Sequence, residues 1–82
     1  MNQSIVKASI NINSTHIYFI EQESLNILIY KYDQQIDFNN DEINLFISHN
    51  NEFWIAIDNS NCALLMEDFS TSGKAIQYLL HE

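Results

Sequence analysis

Proline is missing from this chain and glycine occurs once, at Gly73, so its turns must be built by asparagine, aspartate and serine. These residues enter left-handed backbone conformations at modest cost. Arginine is also missing. Three lysines stand against eleven aspartates and glutamates, a formal net charge of -8. That imbalance opposes direct binding to nucleic acid or to an anionic membrane and favours encounter with basic protein surfaces. A single cysteine, Cys62, excludes an internal disulfide. Its place before Ala63, Leu64 and Leu65 predicts a small buried hydrophobe rather than a reactive thiol. No apolar run approaches the roughly 18 residues a membrane helix requires. The opening Met1-Asn2-Gln3-Ser4 carries no basic segment followed by an apolar block, so a cytoplasmic protein is expected.

The chemistry of most sites is short of parts as well. Nucleophilic catalysis needs a serine or cysteine beside an oriented base, and the histidines His16, His49 and His81 fall in no such motif. One cysteine and three scattered histidines match no zinc spacing. Ser70-Thr71-Ser72-Gly73-Lys74 has the wrong glycine spacing for a phosphate loop, and Ala75 stands where a hydroxyl is required. The hydroxyls read as helix caps. Asp33, Asp37 and Asp41 recur every fourth residue without the glycine and closing glutamate of a calcium loop. No catalytic, cofactor-binding or metal-binding residue is therefore named, and the expectation is a protein that is not an enzyme.

What is present is enough for one small domain spanning residues 1–82. At this length only about 60–65 % of the unfolded surface can be buried, which leaves one thin core. Apolar residues are densest from Glu52 to Leu80, and the earlier strands are expected to pack on that stretch. From Ser4 to Asn13 polar and apolar residues alternate, Thr15 to Gln22 resumes after Asn13-Ser14, and the pair reads as a hairpin. Leu25 to Asp33 is apolar on both alternating faces and reads as a central strand. Asp33 to Glu42 is expected to be a bend or a short edge strand followed by a loop. Ile43 to His49 fits a strand better than the short helix that Asp41 would cap. Asn50-Asn51 predicts a tight turn tolerant of positive φ, followed by a strand from Glu52 to Asp58. After the turn cluster Asp58-Asn59-Ser60-Asn61, Cys62 to Phe69 reads as another strand. Ser70, Thr71 or Ser72 then caps a helix in which Ala75, Ile76, Leu79 and Leu80 recur at helical spacing. The expected fold is α+β: an antiparallel meander of about five or six strands with one C-terminal helix packed on one face.

The remaining signal is acidic. Asn and Ile are abundant, as AT-rich coding would produce, but the same bias should enrich lysine, which is scarce; the acidity therefore looks selected. If extended, Glu21 and Glu23 would present two carboxylates in line at roughly 6.6 Å, and Asp33, Asp37, Asp41 and Glu42 would continue the patch from neighbouring loops. Tyr30 and Tyr32 are the candidate aromatic anchors beside it; Tyr18 and Trp54 also alternate with neighbours. Ordinary solubilising charge is the alternative explanation.

In size and charge the chain resembles the small acidic proteins of phages and mobile elements, anti-CRISPR proteins among them. The residues that carry the resemblance are Glu21, Glu23, Asp33, Asp37, Asp41, Glu42, Glu67 and Asp68. The resemblance implies a non-enzymatic inhibitor, a DNA mimic acting in the cytoplasm of a bacterial host cell on the nucleic-acid-binding groove of a defence complex. Two other readings stay open: an immunity protein or antitoxin that neutralises a nuclease toxin, and a structural subunit that forms a homodimer through a strand edge.

Overall fold

The computed structural model describes the backbone of residues 6–81 and the side chains of residues 8–81. The expected strand start at Ser4 lies outside the described residues. Among the described residues five strands, β1 (Val6–Ile12), β2 (Thr15–Ile20), β3 (Leu45–His49), β4 (Trp54–Asp58) and β5 (Leu65–Phe69), lie side by side in chain order in a single sheet. Two helices, α1 (Gln22–Asp33) and α2 (Ser72–Leu79), make the fold α+β, and Asn40–Glu42 forms one 3-10 turn. No helix among the described residues is long and apolar enough to cross a membrane.

The hairpin β1–β2 forms as its sequence predicts. Ile12 pairs with Thr15, and the two residues between them, Asn13 and Ser14, both have positive φ. That is the primed turn whose twist matches a hairpin, made here without glycine.

The sheet is not purely antiparallel. β2 runs parallel to β3, with Ile17, Tyr18 and Phe19 beside Leu45, Phe46 and Ile47, while the other three pairings are antiparallel. Parallel neighbours require a long crossover, and α1 lies in it. The reading of Leu25–Asp33 as a central strand is thereby corrected. Leu25 and Leu28, three apart, are the two residues α1 buries, whereas Ile27 and Ile29, which alternation placed beside Leu25, are exposed. Period three to four, not period two, describes the apolar signal here. The helix ends in a Schellman arrangement. Gln35 takes φ 58°, and the amide of Ile36 donates back to the carbonyl of Lys31 at 2.8 Å.

Successive strand residues point to opposite sides, so Phe46 and Ile47 enter different clusters. Phe46 joins Ile20, Ile55, Ile57 and Leu64 with Leu25 and Leu28 of α1. Ile47 joins Ile17 and Ala56 with Ala75 and Leu79 of α2. Burial on both sides explains why β3 is apolar at consecutive positions.

Loop chemistry departs from expectation in two places. The β3–β4 connection is longer than an Asn50-Asn51 turn and uses no positive φ. Instead Asn50 Oδ1 accepts from the amides of Glu52 and Phe53 at 2.8 and 2.7 Å, an Asx turn. The last strand begins at Leu65 rather than Cys62 because Cys62 and Leu64 both sit at positive φ. Cys62 is exposed, so the expected buried hydrophobe is instead a loop residue. Leu64 is buried in its place, and its amide donates to Asn59 Oδ1 at 3.1 Å. Asn59 is itself fully buried, and its Nδ2 donates to the carbonyl of Glu42 at 2.7 Å. At the other end Thr71 Oγ1 accepts from the amide of Lys74 and caps α2.

Candidate protein-binding surface

The eight residues proposed from sequence do not form one continuous row. Glu21 stands at the N-cap of α1 and Glu23 in its first turn, both exposed. On a helix, residues two apart face apart, so the in-line pair that an extended chain would give is not realised. Asp33 closes the same helix, roughly 18 Å along the axis from Glu21 at 1.5 Å per residue. Asp37 and Asp41 are exposed in the segment that follows. Tyr30 and Tyr32 are exposed on α1 to 60 % and 52 %.

Glu42 is different, and its assignment to an exposed patch is corrected. It is only 3 % exposed. Its Oε1 accepts from Lys31 Nζ at 2.6 Å and from the amide of Asn39 at 2.7 Å. The carboxylate holds the end of the crossover against α1, and Lys31 is committed to it. One of the chain's three lysines is thus paired with a buried carboxylate.

Helical geometry separates two stripes on α1. Leu25 and Leu28 face the core, and Tyr32, one turn after Leu28 in the same row, is exposed. Glu23, Ile27 and Tyr30, spaced four and then three apart, lie on the far side, and Ile27 is 47 % exposed. The segment after α1 adds exposed Ile36, which with Tyr32 and Asp37 lines a shallow hollow of about 270 Å³. The tyrosines and the acids Glu23, Asp33 and Asp37 were singled out from sequence; Ile27, Ile29 and Ile36 were not. Their signal was an apolar stretch with more hydrophobes than one buried face can use.

A second acidic group sits at the β5 edge of the sheet and in the β3–β4 loop. Glu67 and Asp68 are exposed on β5, and Asp68 shares a shallow hollow with Glu52 and Phe53. Asp58 is engaged locally, its Oδ1 accepting from Ser60 N and Oγ at 3.0 and 2.6 Å.

No family model, curated protein or solved structure matches this chain.

Two of the three histidines, His16 and His49, lie on exposed sheet surface. His16 Nε2 lies 3.1 Å from Ser9 Oγ across the exposed side of the hairpin, and Tyr18 stacks on its ring at 4.7 Å. His49 stacks on Trp54 at a centroid distance of 3.9 Å, nearly parallel, as a directly paired cross-strand couple. Among the described residues no three His, Cys, Asp or Glu side chains are placed to hold a metal ion.

Proposed function

We propose that this protein is a non-catalytic acidic inhibitor that seats the outer stripe of α1 and the segment after it on a basic protein surface of the kind that ordinarily holds nucleic acid. The observation that carries the reading is the second, uncovered apolar stripe on α1. Ile27 and Tyr30 lie opposite the buried Leu25 and Leu28, among the exposed carboxylates of Glu23 and Asp33. A helix needs only one apolar face to fold onto a sheet, and surplus exposed aromatic and aliphatic surface is characteristic of interface anchors. The reading that α2 closes the other side of the sheet rests on Ala75 and Leu79 clustering with Ile17, Ile47 and Ala56. It leaves α1 as the helix with apolar surface to spare.

Acidic flanks around apolar anchors favour a cation-rich partner twice over, by steering its approach and by disfavouring neutral or acidic competitors. On this reading the protein acts in the cytoplasm on a defence complex, as an inhibitor of the anti-CRISPR type that its size and charge resemble. An immunity protein that caps a nuclease would share the electrostatics and differ in the partner captured.

The test is affinity capture at low and high salt, then calorimetry with the purified partner. Glu23→Lys, Asp33→Lys, Asp37→Lys and Asp41→Lys together are expected to weaken binding by more than about tenfold, with a shallower salt dependence. Tyr30→Ala should weaken it without changing that salt dependence. The partner's own nucleic-acid binding should fall as the complex forms. Unchanged affinity in the folded quadruple variant rejects the proposed surface.

A further inference from the structure

The two open edges of the sheet are chemically unlike. β1 at one edge, Val6–Ile12, contains no carboxylate, whereas β5 at the other carries Glu67 and Asp68 in succession between Met66 and Phe69. Four of the five residues of β5 are exposed. Leu65 is 54 % and Met66 42 % exposed, so two aliphatic side chains stand in water beside two carboxylates. β4 pairs with one edge of β5, and no strand among the described residues pairs with its outer edge. That edge therefore offers alternate backbone N–H and C=O groups to an added strand.

We infer that the outer edge of β5 accepts an extended basic segment of a partner protein as a sixth strand. The alternation of β5 fixes what the segment must look like. Leu65, Glu67 and Phe69 fall on one side of the sheet and Met66 and Asp68 on the other, as their pairing with Asp58, Ala56, Trp54, Ile57 and Ile55 requires. Two successive lysines or arginines in the added strand would project to opposite sides, one toward Glu67 and the other toward Asp68. Aliphatic residues next to them would cover Met66 and Leu65. On the Asp68 side, Glu52 adds a further carboxylate and Phe53 an exposed ring in the same shallow hollow.

A second copy of this chain is the wrong occupant on electrostatic grounds. Antiparallel self-pairing centred on Glu67 sets Glu67 directly against its counterpart and joins two chains of formal charge -8. The acids that keep β5 from pairing with itself are the same ones that select a cationic strand.

This inference does not depend on α1, so the two surfaces are separable. The probe is a short blocked peptide, Thr-Val-Arg-Lys-Ile-Val-Thr, titrated into the full chain at low salt, with calorimetry for affinity and amide hydrogen exchange for location. Exchange of alternate β5 amides should slow by about tenfold or more, while β1 amides stay unchanged. Glu67→Lys with Asp68→Lys should abolish that protection, and Tyr30→Ala should leave it intact. A peptide N-methylated at alternate residues, which keeps the charge but removes the ladder donors, should not bind. The inference is overturned if the N-methylated peptide binds equally well, or if the peptide leaves β5 exchange unchanged. It is equally overturned if β5 becomes protected with rising protein concentration alone, which would make a second copy the occupant.

Discussion

Replacing Glu42 with alanine separates a structural carboxylate from a surface one. In the folded chain Glu42 is buried and accepts two hydrogen bonds, from the Lys31 ammonium and the Asn39 amide. Removing one partner of a fully buried ion pair costs about 3–5 kcal/mol. Here the Lys31 side chain keeps 19 % of its exposure, so water can partly take over the ammonium. The Asn39 amide loses a charge-assisted bond that contributes about 1.5–3 kcal/mol. A total loss of about 2–4 kcal/mol follows, against a total stability of roughly 4–12 kcal/mol for a chain of this length. At about 4–8 °C per kcal/mol, the midpoint should fall by about 8–32 °C. Glu42→Gln, which keeps an acceptor for Asn39 but discards the charge, should lose about half as much. Urea unfolding followed by the single tryptophan, Trp54, half-buried and stacked on His49, provides the assay. Lys31→Ala alone and with Glu42→Ala closes a cycle in which the two losses should fall short of adding. A Glu42→Ala midpoint within about 0.5 kcal/mol of the parent, with an unchanged denaturant slope, would refute the assignment.

Ser48 is buried with its Oγ lacking any hydrogen-bond partner, so Ser48→Ala should be neutral or stabilising by up to about 1–2 kcal/mol. A clear loss of stability in thermal unfolding would show that the hydroxyl has a partner. Gln35→Gly relieves a left-handed residue just after the C-cap of α1 and should raise stability by about 0.5–1 kcal/mol; a fall in the urea midpoint contradicts strain at that position. Thr71→Ala removes the cap of α2 and should cost about 0.5–2 kcal/mol, whereas Thr71→Ser should cost little, both read from denaturant midpoints.

Local rules were sufficient wherever the decision was local. The Asn13-Ser14 turn, a strand expected over Glu52 to Asp58 that forms over Trp54–Asp58, and a hydroxyl cap on α2, taken by Thr71 among the three candidates, each follow from a few neighbouring residues. α1 was hidden because Ile27, Ile29, Tyr30 and Tyr32 favour strands by type and satisfy alternation as well. What settles the segment is topological: β2 and β3 lie parallel and adjacent, and a chain that must return to the same end of the sheet does so through a helix. The exposed acids and tyrosines of the candidate surface were legible from side-chain type. Glu42 was not, since its burial depends on Lys31 one helix earlier and on Asn59, whose amide holds its carbonyl from a later loop. Exposure of Cys62 likewise follows from backbone angles that its apolar neighbours give no hint of.

The parallel seam between β2 and β3 has a consequence for how the molecule assembles. β1 with β2, and β3 through β5, each join partners adjacent in the chain across short connections, so either piece can zip up early. Ile17 meets Leu45 only after the whole crossover has been looped out, an entropic toll settled before that contact yields anything. Folding should therefore resemble the docking of two preformed halves, with the Phe46 and Ile47 interiors sealed at the last step and first to admit water when the chain comes apart.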